Sequence, residues 1–128
     1  MNIAKYLLGT LVAFLCTACM TNPSGAERIT AQEAKARMEK NPQAIVLDVR
    51  TEAEYRSGHI KGAVLLPLDR LEAEAETVLP DKEAEILIYC RSGRRSADAG
   101  EVLGALGYKN IADFGGILLW PYEVVTEP

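Results

Sequence analysis

The run Ile86-Leu87-Ile88-Tyr89-Cys90-Arg91-Ser92-Gly93-Arg94-Arg95-Ser96 decides the fold of this chain. Its unbroken apolar start marks a strand covered on both faces, and that strand ends on a cysteine. A glycine-containing turn with three arginines follows. A helix comes next, with Ala99, Val102, Leu103 and Leu106 on one stripe and Gly107 closing it. Strand, turn and helix in this order put Cys90 beyond the carboxyl end of a strand, where open parallel sheets bind ligands.

Toward the amino terminus, strands and helices alternate. Asp69 with Glu72 opens a helix that carries Leu71, Ala75, Val78 and Leu79 on one face and ends at Pro80-Asp81. Before it, Ala63-Val64-Leu65-Leu66 reads as a strand. Thr51-Glu52-Ala53-Glu54 is a capping box that starts a short helix closed by Gly58. Ile45-Val46-Leu47-Asp48-Val49 is a buried strand with Asp48 at the carboxyl rim. Thr30-Ala31-Gln32-Glu33 is another capping box, opening a helix with Ala34 and Met38 inward that Asn41-Pro42 stops. Toward the carboxyl terminus, Asn110-Ile111-Ala112 gives a last short strand. The alternation predicts an α/β domain with a mainly parallel sheet flanked by helices.

The chain has 128 residues, with 14 basic and 18 acidic side chains and a net charge of −4. Lys5 precedes an uncharged stretch over residues 6–18, too short for the roughly 20 apolar residues of a membrane span and suited to a secretory signal. The end of that stretch, Leu15-Cys16-Thr17-Ala18-Cys19, resembles the lipobox of bacterial lipoproteins. The resemblance implies cleavage before Cys19, lipid attachment there, and anchoring in the bacterial envelope facing the periplasm. Cys16 stands where that pattern prefers leucine, so ordinary cleavage to a soluble periplasmic form and an uncleaved anchor are the alternatives. Residues 19–28 are small and polar, a tether, leaving residues 29–128 for one domain. Losing Lys5 with the leader takes the net charge from −4 to −5, which argues against nucleic acid as partner.

Of the three cysteines, Cys16 and Cys19 fall in the leader, so Cys90 has no partner for a structural disulfide or a redox pair. A thiol is a nucleophile as its thiolate, and nearby guanidinium groups and the positive end of a helix both favour that form. An inert core cysteine beside a solvated basic turn is the alternative. If the helix begins near Arg94, the amides of residues 91–95 curve around the sulfur as an anion-binding nest, and Gly93 supplies the bend. Cysteine-based phosphatases close such a loop on an arginine six positions after the cysteine. Ser96 occupies that position here, and the smaller ring suits sulfur better than phosphate.

The chain resembles the rhodanese family. Leu47-Asp48-Val49-Arg50-Thr51-Glu52-Ala53-Glu54-Tyr55 with Gly58-His59-Ile60-Lys61-Gly62-Ala63 is similar to that family's first signature. Tyr89-Cys90-Arg91-Ser92-Gly93-Arg94-Arg95-Ser96 is similar to its active-site loop, and Leu106-Gly107-Tyr108, Gly115-Gly116 and Trp120 fit its carboxyl-terminal pattern. After Trp120 the segment Pro121-Tyr122-Glu123-Val124-Val125 departs from the usual closing helix. The resemblance implies a three-layer rhodanese-like fold and transfer of a sulfane sulfur from a small anionic donor such as thiosulfate. Cys90 would be the nucleophile, and Arg91, Ser92, Gly93, Arg94 and Arg95 would bind substrate. A Cys90 persulfide would pass its outer sulfur to cyanide, a small thiol or a protein dithiol, with ping-pong kinetics and without metal or organic cofactor. A monomer is expected. The competing readings are a persulfide carrier or docking module for an envelope partner, and a cysteine-based phosphatase or arsenate reductase; the latter lacks a second, resolving cysteine.

Three other groups invite a role. His59, the only histidine, is assigned to the turn that supports the fold, since a thiolate needs no base. Asp48, Arg50 and Glu54 are expected to form an ion-pair network at the rim. Trp120 and Tyr122 are either an apolar rim for a protein acceptor or core packing.

Overall fold

The computed structural model describes residues 25–126. Along the chain come strand β1 (Glu27–Arg28), helix α1 (Ala31–Lys40), β2 (Ile45–Asp48), α2 (Glu52–Ser57), β3 (Val64–Leu65), α3 (Leu68–Val78), β4 (Glu85–Cys90), α4 (Arg94–Ala105) and β5 (Asn110–Gly116), followed by a short 3-10 helix (Ile117–Leu119). The five strands form one sheet in the order β1-β5-β4-β2-β3, and every pairing is parallel. β4 is therefore the centre of the sheet, as its apolar sequence requires.

Helices cover both faces. Ile86, Ile88 and Cys90 point to the side where Leu71, Ala75 and Leu79 of the α3 region and Ala99 and Leu103 of α4 pack. Leu87 and Tyr89 point the other way, against Ala31 and Ala34 of α1, Phe114 and Trp120, with Tyr55 of α2 alongside. This is the two-residue alternation of a strand carried through a three-layer core. Both capping boxes form as read: Thr30 accepts from the Glu33 N–H and Thr51 from the Glu54 N–H, and each glutamate reaches back to its cap.

Several boundaries differ from those expected: β3 shortens from residues 63–66 to Val64–Leu65 and β2 ends at Asp48, and three further differences bear on the site. β5 continues four residues past Ala112, to Gly116. Asp113 interrupts its apolar run, but the carboxylate is buried and accepts the Gly115 N–H at 2.8 Å. The pairing Ile88 with Asp113 and Cys90 with Gly116 places one extra residue in β5, a bulge at which Gly115 takes φ +86°. α3 starts at Leu68 behind Pro67, without a side-chain cap, so Asp69 lies in its first turn instead of opening it. The tether expected over residues 19–28 gives way to structure before its end: Ala26 is buried, and Glu27 and Arg28 pair with Ala112 and Asp113. A Cβ on Gly100 would come within 2.9 Å of the Ala26 Cβ, so α4 packs tightly on the start of β1. Cys19 and the leader lie outside the described residues.

After the 3-10 helix the chain crosses to the turn following α2. Val125 and His59 exchange both backbone hydrogen bonds, at 2.9 and 2.8 Å, in an antiparallel bridge. That bridge holds the segment after Trp120 against the body of the domain.

Candidate active site

Cys90 is the last residue of the central strand and is 1 % exposed. The chain leaves it through Arg91 and Ser92, and Gly93 takes the left-handed conformation, φ +104°, that turns it into α4. That conformation disfavours any residue with a Cβ. The turn aims the Gly93 N–H back at Cys90 Sγ, 3.0 Å away, and an N–H donor at that range stabilises negative charge on sulfur. α4 begins at the next residue, so the positive end of its dipole lies behind the same sulfur. On the first turn of α4, the Ser96 hydroxyl lies 3.5 Å from Sγ and donates to Gly93 O at 3.0 Å. It thereby pins the turn that positions the amide.

β5 forms the other wall. A Cβ on Gly116 would meet Arg91 O at 2.0 Å and Ser92 Cα at 2.7 Å, so the end of β5 is pressed against the cysteine loop with no room for a side chain. The Leu118 N–H also donates to Arg91 O, at 3.3 Å.

The three arginines divide into two kinds. Arg95 is held by Glu54 of α2 through two hydrogen bonds of 2.7 and 2.9 Å. The Arg95 guanidinium, helped by the Thr51 cap, brings the Glu54 carboxyl down to about 2 against the pull of partial burial. Arg95 is shifted up in return, first by its hydrogen bonds to Glu54, which outweigh the opposing effect of partial burial. Arg91 and Arg94 are exposed and form no ion pair among the described residues. They are the cations facing solvent at the mouth of the loop.

A model of the family described as "Rhodanese-like domain" matches residues 30–121. The chain belongs to the rhodanese-like family. It is similar to thiosulfate sulfurtransferase PspE of Escherichia coli, 35 % identical over 71 residues that make up 56 % of this chain and 68 % of that protein. It is also similar to the putative sulfur carrier protein YrkF of Bacillus subtilis, 33 % identical over 90 residues, 70 % of this chain and 48 % of the relative. Among solved structures, a rhodanese from E. coli determined with anions superposes with a TM-score of 0.62 at 31 % identity, covering 66 % of this chain and 99 % of that one.

In this rhodanese-like domain the rim network forms in two separate pieces. Asp48 is fully buried and receives Arg50 Nε at 3.0 and 3.1 Å and Nη2 at 2.7 Å. It also accepts the Tyr89 hydroxyl at 2.8 Å, and that hydroxyl accepts the Ile60 N–H at 3.1 Å. Arg50 Nη2 reaches on to Gly58 O at 2.7 Å. Burial works against the Arg50 charge, but hydrogen bonding and attraction to Asp48 outweigh it and its pKa rises. Burial, then the Asp48 charge, pushes the Tyr89 phenol up. Asp48 thus fixes the backbone on which Cys90 sits, from the opposite face of the sheet. Glu54 stands outside this cluster and serves the cysteine loop through Arg95.

His59 is buried, stacks on Tyr55 with ring centroids 3.6 Å apart, and places Nδ1 2.8 Å from Tyr55 O. Trp120 packs on Phe114 at 5.4 Å, and Tyr122 meets its edge at 4.9 Å. Trp120 belongs to the core, while Tyr122 is partly exposed.

The hold of Ser96 on the Gly93 turn, the pairing of Glu54 with Arg95 and the fit of Gly116 against the cysteine loop go beyond the expectations from sequence. Ser96 had a usable signal: six residues after the cysteine, on the first turn of the helix, its hydroxyl faces back toward the loop. The contacts of Glu54 and Gly116 join segments far apart in sequence and left no local trace.

Proposed function

We propose that this protein is a sulfurtransferase that carries a sulfane sulfur on Cys90. The observation behind this reading is the Gly93 N–H at 3.0 Å from Cys90 Sγ, at a helix start flanked by the exposed Arg91 and Arg94. Named sulfurtransferases among its relatives support the same chemistry.

In the first half-reaction the Cys90 thiolate attacks the outer sulfur of thiosulfate. The sulfur–sulfur bond of the donor breaks, sulfite leaves with its electron pair, and a Cys90 persulfide forms. Arg91 and Arg94 draw the dianion to the loop, and the Gly93 amide with the helix start holds the charge left on the terminal sulfur. In the second half-reaction an acceptor nucleophile takes that sulfur and the electron pair returns to Cys90 Sγ. Cyanide gives thiocyanate; a small thiol or a protein thiol gives its own persulfide. The two steps are covalent catalysis and call for ping-pong kinetics, with no metal and no organic cofactor.

Intact mass of the purified protein before and after thiosulfate tests this. The wild type gains one sulfur that cyanide removes as thiocyanate, and Cys90→Ser gains none. Absence of the adduct on a reduced Cys90 overturns thiosulfate as donor. Similarity to a sulfur carrier protein supports a second reading, slow thiosulfate turnover with fast delivery to one partner, which the ratio of the two rates decides. Phosphate-ester turnover would instead favour the phosphatase reading.

We also propose that the domain works as a monomer held in the bacterial envelope by lipid at Cys19. Release of Cys19→Ser from the membrane fraction is the expected outcome.

A further inference from the structure

The 3-10 helix after β5 has a period of three, and it shows which residues face in. Ile117 and Trp120 pack into the core beside Phe114, and the Trp120 N–H closes the turn on Ile117 O at 3.0 Å. Leu118 and Leu119 are left facing water, 65 % and 79 % exposed, more than any other large apolar residue described. Their backbone is held, because the Leu118 N–H is bonded to Arg91 O and Gly116 locks the preceding residue against the same loop. Single exposed leucines are ordinary, but an adjacent pair on a held backbone beside a nucleophile marks a contact surface.

Charge narrows the choice of partner. The chain carries a net charge of −4, yet Arg91 and Arg94 stand exposed at this corner and form no ion pair among the described residues. Two exposed cations and two exposed leucines thus adjoin the cysteine loop of a protein whose net charge is negative. The described chain begins at residue 25 toward the amino edge of the sheet, since β1 is parallel to β5, whereas Leu118 and Leu119 follow the carboxyl edge. Leu118 and Leu119 thus lie at the opposite edge of the sheet from the start of β1.

We propose that Leu118 and Leu119, flanked by Arg91 and Arg94, are the docking platform for a protein acceptor: a solvent-exposed cysteine set among acidic and apolar residues. This rests on the sulfurtransferase reading and names the acceptor for its second half-reaction. The docked thiolate attacks the outer sulfur of the Cys90 persulfide. A new sulfur–sulfur bond forms on the acceptor, the old one breaks, its electron pair stays on Cys90 Sγ, and the acceptor's thiol proton goes to solvent. Leucine burial holds the segment, and the arginines orient it and speed its encounter.

The test uses the full chain, loaded as the persulfide with inorganic polysulfide so that it does not depend on thiosulfate. Acceptors are capped pentapeptides with a central cysteine and leucine ends, flanked by aspartate, glycine or lysine. Transfer to the aspartate peptide is expected to be about tenfold faster in kcat/KM than to the lysine peptide, with the gap closing at high salt. In Leu118→Ser/Leu119→Ser, transfer to the aspartate peptide falls about tenfold while discharge by cyanide changes less than about twofold. Trp120, the only tryptophan, reports binding of the non-reacting peptide with serine in place of cysteine, whether or not a persulfide loads. The serine peptide is expected to saturate the Trp120 signal in the wild type and not in the variant.

Equal rates for the three peptides on the wild type overturn the proposal even if the variant does not fold, as does an unaffected variant. Sedimentation showing a dimer that the variant dissociates assigns the surface to a second copy instead. Binding to phosphatidylcholine–phosphatidylglycerol vesicles that the variant loses assigns it to a membrane. Failure of thiosulfate alone to load Cys90 counts against the donor reading and leaves the peptide result standing.

Discussion

Glu54 and Arg95, 41 residues apart, face each other through two parallel hydrogen bonds of 2.7 and 2.9 Å. The pair fastens the amino end of α2 to the first turn of α4, the helix that begins behind Cys90. Paired forks of this kind fix orientation as well as distance.

Glu54→Gln keeps the shape and removes the charge. We expect lower kcat/KM for thiosulfate, by roughly tenfold, because Arg95 loses the partner that orients it. Stability follows pH with a defined sign. The folded state holds the Glu54 carboxyl at about 2 instead of 4.5, so its contribution is fully present above pH 4.5 and is lost as pH falls toward 2. Melting temperature against pH should show wild type above Glu54→Gln at neutral pH, with the two curves converging over that interval.

Ser96→Ala removes a hydroxyl that lies 3.5 Å from Cys90 Sγ and donates to Gly93 O. The loss of one buried hydrogen bond costs about 1 kcal/mol. Freedom gained by the Gly93 turn should lower the rate of persulfide formation more than the rate of its discharge, which stopped-flow measurement of the two half-reactions separates.

Gly116→Ala places a methyl where Arg91 O stands, at 2.0 Å. Neither wall can move without displacing the cysteine loop or the end of β5. Destabilisation of about 3 kcal/mol is expected from overpacking of this kind, with loss of persulfide formation. Denaturant melts and intact mass read the two effects.

Asp48→Ala and Tyr89→Phe test the buried cluster. The first strands Arg50 without its carboxylate and should cost about 3–5 kcal/mol. The second leaves the Ile60 N–H and one Asp48 oxygen short of a partner, for about 1–3 kcal/mol. Chemical denaturation gives both values. In refolded Tyr89→Phe the rate of persulfide formation should change less than the stability, because the hydroxyl points away from Cys90.

Arg91→Ala/Arg94→Ala removes the two exposed cations. The expected signature is a raised KM for thiosulfate and a flatter dependence of kcat/KM on ionic strength, since steering by exposed charge is screened by salt.

The sequence alone determined the layered α/β architecture and the place of Cys90 between the end of a strand and the start of a helix. Both are written in local signals: unbroken apolar runs at Ile45-Val46-Leu47 and Ile86-Leu87-Ile88, capping boxes at Thr30 and Thr51, and a cysteine between a strand and a glycine turn. The length of β5 was hidden because Asp113 and Gly115-Gly116 read locally as a break, and only burial with a partner for the Asp113 carboxylate makes a strand of them. Tertiary structure also decided how the three arginines are used. Neighbours in sequence, they look alike, but Arg95 lies within reach of a carboxylate from another helix while Arg91 and Arg94 face water. Charge on a side chain is legible from its residue type, whereas the partner that meets it depends on how distant segments pack. Leu118 and Leu119 obey the same rule: hydrophobicity is plain in the sequence, and their exposure follows from the Ile117 and Trp120 anchors that turn them outward.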